Sequence, residues 1–349
     1  MDYVFSNSKS FNTLWGNFVE ENNNSTYAYL LNELDFIRFY TKRCRIKDLS
    51  FIILEKNKPV CICPLFLEKH GEISSFSVDG TYLRAPLFSE NLTAKLLNKI
   101  QNECFNKIDQ LAQDNSVDKV LFMIDPLSGT YKYNFLIKFG YLDNSVNTCI
   151  TDLKQSEDTL WMNLRKSYKS IINNGQKLFE FIIMNSNNLD YDLFCEHKKL
   201  HFKAAGRVTR SDDTWDAQFN MIKNNNAVLI GIKTNQAYLA FGYFVYHKAK
   251  AYYGHASENP EVETKIPFMH VIIWNALMYL KENNFQLLEL GHQHFGKQFF
   301  DYPSVKDLQI SFFKRGFGGE ISPLFRGSKY FNNNVLKNDF LNNINKLIS

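Results

Sequence analysis

Apolar and polar positions alternate along this chain in two recurring rhythms. Residues 10–21 and 27–43 carry apolar side chains at helical spacing, with Leu30, Leu31, Leu34, Ile37 and Tyr40 forming a stripe. Short apolar runs at 51–54 and 60–67 predict strands around a Lys56-Asn57-Lys58-Pro59 turn. Residues 74–87 are turn-rich, and 92–112 form a long amphipathic helix. A buried strand is expected at 120–124, a short helix at 131–139 ended by Gly140, and a strand at 147–153.

The second half repeats this grammar. A helix is predicted at 158–173, with Ser156 or Asp158 as its N-cap. A strand at 179–184 precedes helices at 191–205 and 212–223, and strands follow at 227–233, 238–246 and 250–256 with hairpin spacing. Pro267 opens a helix whose apolar face comprises Val271, Trp274, Leu277, Met278 and Leu280. Residues 287–290 read as a strand ended by Gly291. The stretch 311–320 alternates aromatic rings with cations and reads as a further strand with a glycine-rich exit. Phe312, Lys314 and Gly316 would share one face there, and Phe313, Arg315 and Phe317 the other. Lys314 then either snorkels to water or faces a polar cleft. The two halves show no detectable identity, and the polar run at 154–158 divides a domain of 1–153 from one of 154–349.

Composition narrows the class. The chain has 349 residues, which favours two domains, and it is 45% hydrophobic, 22% charged and 15% aromatic, as a folded protein would be. A net charge of +4 permits an anionic partner without requiring one. The six cysteines lack zinc-ligand spacing and suit reduced thiols, so no metal is expected. No signal-peptide pattern and no apolar run of membrane-spanning length occurs, so a cytoplasmic protein is expected.

Three segments carry candidate chemistry. In 158–175, Arg165 and Lys169 are neighbours on a helix face with Lys166 beside them, either meeting phosphates or forming a solvated face. In 201–218, Gly206 ends one helix and Ser211 or Asp212 begins the next. The loop between presents Arg207 and Arg210 beside free helix amides, with Ser211 and Trp215 close by. That loop is an anion site, or its arginines pair with Asp212, Asp213 or Glu196. In 252–258, Tyr253, His255 and Glu258 lie at a strand end, where His255 and Glu258 are candidates to move a proton and His270 to reach the same cleft. Each histidine taken alone is more often structural.

Leu164-Arg-Lys-Ser-Tyr-Lys-Ser-Ile-Ile172, then Ala204-Ala-Gly-Arg-Val-Thr-Arg-Ser211 with Trp215 and Gln218, and the run from Glu289-Leu-Gly291 through Lys306 to Phe313-Lys-Arg-Gly-Phe-Gly-Gly319 together resemble the FemAB-like family of tandem GNAT-fold transferases. The second segment is similar to a polysaccharide-associated subgroup. The resemblance spans most of the chain, and only its second half is specific. It implies an α/β (α+β) fold of two tandem GNAT-like domains, each a mixed, mostly antiparallel sheet flanked by helices. It further implies acyl or aminoacyl transfer to an amine of a cell-envelope sugar or glycan precursor, in polysaccharide or nonulosonate biosynthesis. Carried over onto matching positions, Phe313 and Lys314 would lie at the transfer site, with the lysine steadying a phosphate or an oxyanion. Arg165, Lys169, Arg207, Arg210, Ser211, Trp215, Tyr253 and Lys306 would contact substrate.

No tightly bound cofactor is implied. Acyl-CoA or aminoacyl-tRNA would be the donor, and an activated amino-sugar or lipid-linked glycan the acceptor. Residues 291–296 lack the Gln/Arg-x-x-Gly-x-Gly/Ala loop typical of acyl-CoA acetyltransferases, which leaves tRNA as an open partner. DNA is not expected as a partner; peripheral membrane contact is compatible with a lipid-linked acceptor. The alternatives are a non-catalytic tandem-GNAT binding or scaffold protein and a tRNA-dependent peptidoglycan-bridge aminoacyltransferase.

Overall fold

The computed structural model describes residues 1–129, 132–235 and 237–348. Its contacts gather the chain into two compact units. The first comprises Met1–Asn147, His294–Leu308 and Pro323–Ser349; the second comprises Thr148–Gln293 and Gln309–Ser322. The single expected cut between 153 and 154 is therefore replaced by a discontinuous division. Strand Arg326–Tyr330 explains part of it, because it pairs antiparallel with both Lys119–Met123 and Leu142–Asp143. Such long-range pairing leaves no local trace in a sequence.

In the first unit, one antiparallel sheet orders Asp2–Phe5, Phe51–Glu55, Lys58–Cys63 and Leu87–Phe88. A second orders Leu142–Asp143, Arg326–Tyr330, Lys119–Met123, Ile73–Phe76, Phe66–His70 and Arg45–Asp48, with Leu83–Arg84 also on Lys119–Met123. Lys56 and Asn57 both have positive φ and form a two-residue hairpin loop, since Glu55 pairs with Lys58. The strand expected at 60–67 is two strands in different sheets. Pro64 lacks the amide that would continue the ladder, and the next amide, Leu65, turns to the Ser50 hydroxyl at 3.0 Å. Helices Phe11–Glu21, Leu31–Tyr40 and Ala94–Asp114 accompany the sheets. Phe11, Trp15, Phe51, Phe66, Phe105 and Phe122 are buried at the centre, each contributing on the order of 2–3 kcal/mol. Of the helix expected at 131–139, Tyr131 lies outside the described residues; Phe135–Phe139 is a short 3-10 helix ended by Gly140 in the left-handed region.

The second unit is built on a seven-stranded sheet. Its order is Glu180–Met184, Ala227–Lys233, Tyr238–His247, Lys250–Glu258, Leu287–Gln293, Val146–Asp152 and Glu320–Leu324. The first four strands pair antiparallel, whereas Lys250–Glu258 and Leu287–Gln293 pair parallel. Lys166–Leu178 and Phe268–Glu282 cover one face, crossing closely where a Cβ on Gly175 would come within 2.4 Å of Val271. Tyr191–Ala205 and Asp212–Lys223 cover the other, where the Tyr243 hydroxyl donates to the Gln218 carbonyl at 2.9 Å.

Three local expectations are corrected here. The helix predicted at 158–173 is two helices, Glu157–Asn163 capped by Ser156, and Lys166–Leu178. Between them Leu164 is buried, and the Arg165 amide donates to the Gly316 carbonyl at 2.8 Å instead of continuing a helical ladder. The strand expected at 311–320 is instead the end of helix Val305–Arg315, a turn, and the start of strand Glu320–Leu324. Phe313 and Phe317 are four residues apart, and their rings meet at 5.3 Å against a shared set of neighbours. Finally, Gly291 does not end its strand, which runs on to Gln293 with Gly291 at φ 92° inside it. Helix Asn333–Ile348 has no buried residue, so no core-facing stripe announces it. Among the described residues, no helix is long and apolar enough to cross a membrane.

Candidate active site

The parallel pair at the middle of the second unit's sheet comes apart. Its register covers Lys250 with Leu287, Ala251 with Leu288 and Tyr252 with Glu289, yet the two strands continue to Glu258 and Gln293. Beyond Tyr252 and Glu289 the backbones no longer pair. Lys314, in the last turn of its helix, extends its ammonium to this opening. Nζ lies 5.4 Å from the Tyr253 ring centre and so close to the Gly291 backbone that a Cβ there would be 2.7 Å from it. Only glycine combines that space with φ 92°.

Burial lowers the Lys314 pKa, opposed by the carboxylate of Glu289. Glu289 is itself buried and accepts from the Thr148 hydroxyl. Burial also raises the Cys149 thiol to about 11, with Glu289 adding to the rise and Lys314 opposing it. Arg315 donates to the Gln293 side-chain oxygen at 3.2 Å. The result is a half-buried amine with a buried acid beside it, at the end of a wedge between two strands.

An aromatic wall stands next to Lys314. Phe313 and Phe317 meet the Tyr168 ring at 6.1 and 5.2 Å, and His270 packs at 4.2 Å from Tyr168 and 4.8 Å from Phe313. The Tyr168 hydroxyl donates to the Phe313 carbonyl at 3.0 Å and accepts from Arg165 at 2.9 Å. A Cβ on Gly316 would lie 2.2 Å from the Tyr168 ring, so the residue after Arg315 has to be glycine for this packing. Burial pushes His270 down to about 4, helped by the Arg165 charge, so its imidazole is neutral. Arg165 stacks on Phe312 at 3.7 Å and donates to the Phe312 carbonyl at 2.9 Å, which ties it to the helix end. Lys169 reaches the Met162 carbonyl at 3.4 Å, so the cationic turn expected of Arg165, Lys166 and Lys169 does not converge.

On the other side of the sheet lies a histidine network. Tyr253 pairs with Phe244, but His255 pairs with Tyr243, because Gly254 is an extra residue in the ladder. The bulge sends Tyr253 and His255 to opposite faces. Glu258, opposite Ala240, shares the face of Tyr253 and is exposed. His255 therefore does not join His270 and Glu258 in one cleft. Its Nε2 meets the Nε2 of His197 at 3.0 Å and Arg210 at 3.3 Å, and the Nδ1 of His197 meets the Ser257 hydroxyl at 2.8 Å. These contacts are consistent when His255 accepts at Nε2, His197 donates there, and Ser257 donates to His197. Burial holds fully buried His197 at about 3 and His255 well below its usual range. Arg210 stacks on Trp215 at 3.8 Å and donates to the Gln218 side chain at 2.7 Å.

The proposed anion loop is thus divided. Arg210 turns inward, Arg207 is exposed, and Ser211 precedes its helix with no side-chain cap bond. Lys306 is exposed and counts with the first unit. The structure brings together Lys314, Phe313, Tyr253, His270 and Arg165, and separately His255, Arg210 and Trp215. Sequence reasoning missed His197, Thr148 and the part of Gly291. His197 stands four residues before His201 on a predicted helix, which was the available signal.

No family model matches the chain, and no curated protein matches its sequence. Solved structures do. FemX matches with a TM-score of 0.69 at 12% identity, covering 97% of this chain and 99% of its own. The tandem GNAT protein from the clavulanic acid biosynthesis pathway matches at 0.55 and 12% identity, covering 94% of this chain and 98% of its own. The chain has the FemAB-like tandem GNAT fold. L-PGS from Bacillus licheniformis shares it at a TM-score of 0.58 and 12% identity, covering 95% and 94%. At such identities the likeness is one of fold.

Proposed function

We propose that this tandem GNAT protein is an acyl or aminoacyl transferase acting on an amine of a cell-envelope sugar or glycan precursor, in surface-polysaccharide or nonulosonate biosynthesis. One observation carries the reading: the partly desolvated Lys314 ammonium held at the point where two parallel strands part. Strands that have stopped pairing with each other leave room for an extended donor between them, and a cation at their divergence is placed to meet negative charge developing on a carbonyl oxygen. In the proposed step a neutral acceptor amine attacks the donor carbonyl, forming a C–N bond. Lys314 donates to the tetrahedral oxyanion, and the C–S bond of a thioester or the C–O bond of an aminoacyl ester breaks. The amine's proton leaves through water to the departing thiolate or alkoxide, giving the free thiol or hydroxyl. Phe313 and its ring neighbours shield the acyl group.

Acyl-CoA and aminoacyl-tRNA are both fitting donors, and both are met in the cytoplasm. A lipid-linked acceptor would bring the protein to a membrane surface. The test is to incubate the protein with acetyl-CoA or charged tRNA and a panel of activated amino-sugars, and to weigh the products by mass spectrometry. An acceptor gaining the acyl mass supports the reading. Transfer from neither donor across a broad acceptor panel overturns it in favour of a non-catalytic binding protein.

A further inference from the structure

A separate cluster of reactive side chains lies in the first unit, where three segments meet. Cys44 sits between helix Leu31–Tyr40 and strand Arg45–Asp48, and His70 ends the neighbouring strand Phe66–His70. Asp79 occupies the turn closed by the Val78–Thr81 bridge, with φ 49°. The Cys44 sulfur, a ring nitrogen of His70 and a carboxylate oxygen of Asp79 all lie within 4.8 Å of one another.

Behind them stands Glu68, which is wholly buried. Its carboxylate accepts from the Ser77 hydroxyl at 2.8 Å and from the amides of Asp79 and Gly80 at 3.0 and 3.1 Å, and it faces His70 Nε2 at 3.2 Å. When Nε2 donates to Glu68, the other ring nitrogen keeps the lone pair a metal needs. A carboxylate behind a histidine is the usual outer support of a metal-ligating imidazole. The charges are also unbalanced. Glu68 and Asp79 bring two carboxylates to the cluster, and Arg43, an exposed side chain, reaches Asp79 at 3.0 Å.

We propose that Cys44, His70 and Asp79 bind a zinc ion, with Glu68 orienting His70 and a water in the fourth position. Thiolate, imidazole and carboxylate together suit this borderline-soft divalent ion better than magnesium or calcium, which take oxygen ligands. Zinc–ligand bonds of about 2.0–2.3 Å require the donor atoms to draw together by roughly 1 Å, within reach of side-chain rotation. On binding, the Cys44 thiol releases its proton to solvent and Arg43 yields its hold on Asp79. The ion then clips three segments of one unit, independently of the transfer chemistry proposed above.

The test uses the untagged full chain, stripped with chelator and titrated with zinc against a chromophoric competitor. One zinc per chain is expected, with a higher melting temperature. Cobalt in place of zinc should give a thiolate-to-metal charge-transfer band. Cys44→Ser and Asp79→Asn should each weaken binding at least tenfold, while exposed Arg43→Ala should tighten it severalfold by freeing Asp79. The Arg43 variant keeps the proposal exposed to refutation even where a ligand variant folds poorly. No zinc bound at micromolar free metal, zinc bound undiminished by the Cys44→Ser/Asp79→Asn pair, or cobalt bound without the thiolate band would each overturn it.

Discussion

The two faces of the second unit's sheet use similar residues to opposite ends. On one, Lys314 keeps a charge at an opening between strands, with a buried acid beside it and aromatic rings around it. On the other, His197, His255 and Arg210 spend their hydrogen bonds on one another and on Ser257 and Gln218, under two helices. Tyr253 and His255 are two residues apart, and one extra residue at Gly254 separates these environments. Polar groups that bond one another under covering helices chiefly specify a fold, whereas a charged group at a gap between two strands is placed to meet a ligand. The proposed function places the chemistry on the first face, and the contrast makes that proposal testable.

Substitutions can break that contrast. The largest effect is expected from Lys314→Ala: a loss of about 10²–10³ in kcat/KM, as for removal of one oxyanion donor, with little change in melting temperature. Equal losses in activity and folding would make Lys314 structural. Next, Gly291→Ala forces a side chain at φ 92° and toward the lysine ammonium. Transfer should fall by about tenfold and stability by about 1–3 kcal/mol, read from kinetics and denaturant melts.

His197→Ala should show the converse. Loss of a fully buried, doubly bonded ring should cost about 2–3 kcal/mol, with the rate per folded molecule unchanged. A large drop in kcat with native stability would move catalysis to that face.

Acid sharpens the same point. The folded His197 imidazole is held at about 3 against 6.5 when free, so below 6.5 the unfolded chain binds the extra proton. This contribution to stability is intact above about pH 6.5 and drains away as pH falls toward 3. Melts across that window should slope less steeply for His197→Gln than for the parent chain. The smallest effect belongs to Arg165→Ala, which frees the Phe312 carbonyl and ring at the helix end. About 1 kcal/mol and a minor change in rate are expected from melting and steady-state assays.

Much of the second unit was legible along the chain. Helices Tyr191–Ala205 and Asp212–Lys223 and strand Ala227–Lys233 fall where periodicity and caps place them, because each helix buries one apolar stripe and the strand, buried on both faces, is a continuous apolar run. The family resemblance pointed to Lys314 and Phe313, while the alternation of rings and cations suggested the wrong secondary structure for them. Ser-Phe-Phe-Lys-Arg-Gly-Phe alternates as a strand would and also repeats phenylalanine at four residues as a helix would. The choice rests on Tyr168 and His270, which pack against Phe313 and Phe317 from distant parts of the chain.

By itself the sequence determined helices Tyr191–Ala205 and Asp212–Lys223, the hairpin strands that follow them and the Ser156 cap, since these follow from neighbours a few residues apart. Tertiary structure alone decided the rest. The bulge at Gly254 chose the face of His255, and the parting of Lys250–Glu258 from Leu287–Gln293 gave Lys314 its opening. Strand Arg326–Tyr330 joined the first unit, and Cys44, His70 and Asp79 came together across three segments. Each is a contact between residues far apart in the chain, whose energy is realised only after the sheets have closed and which no local pattern records.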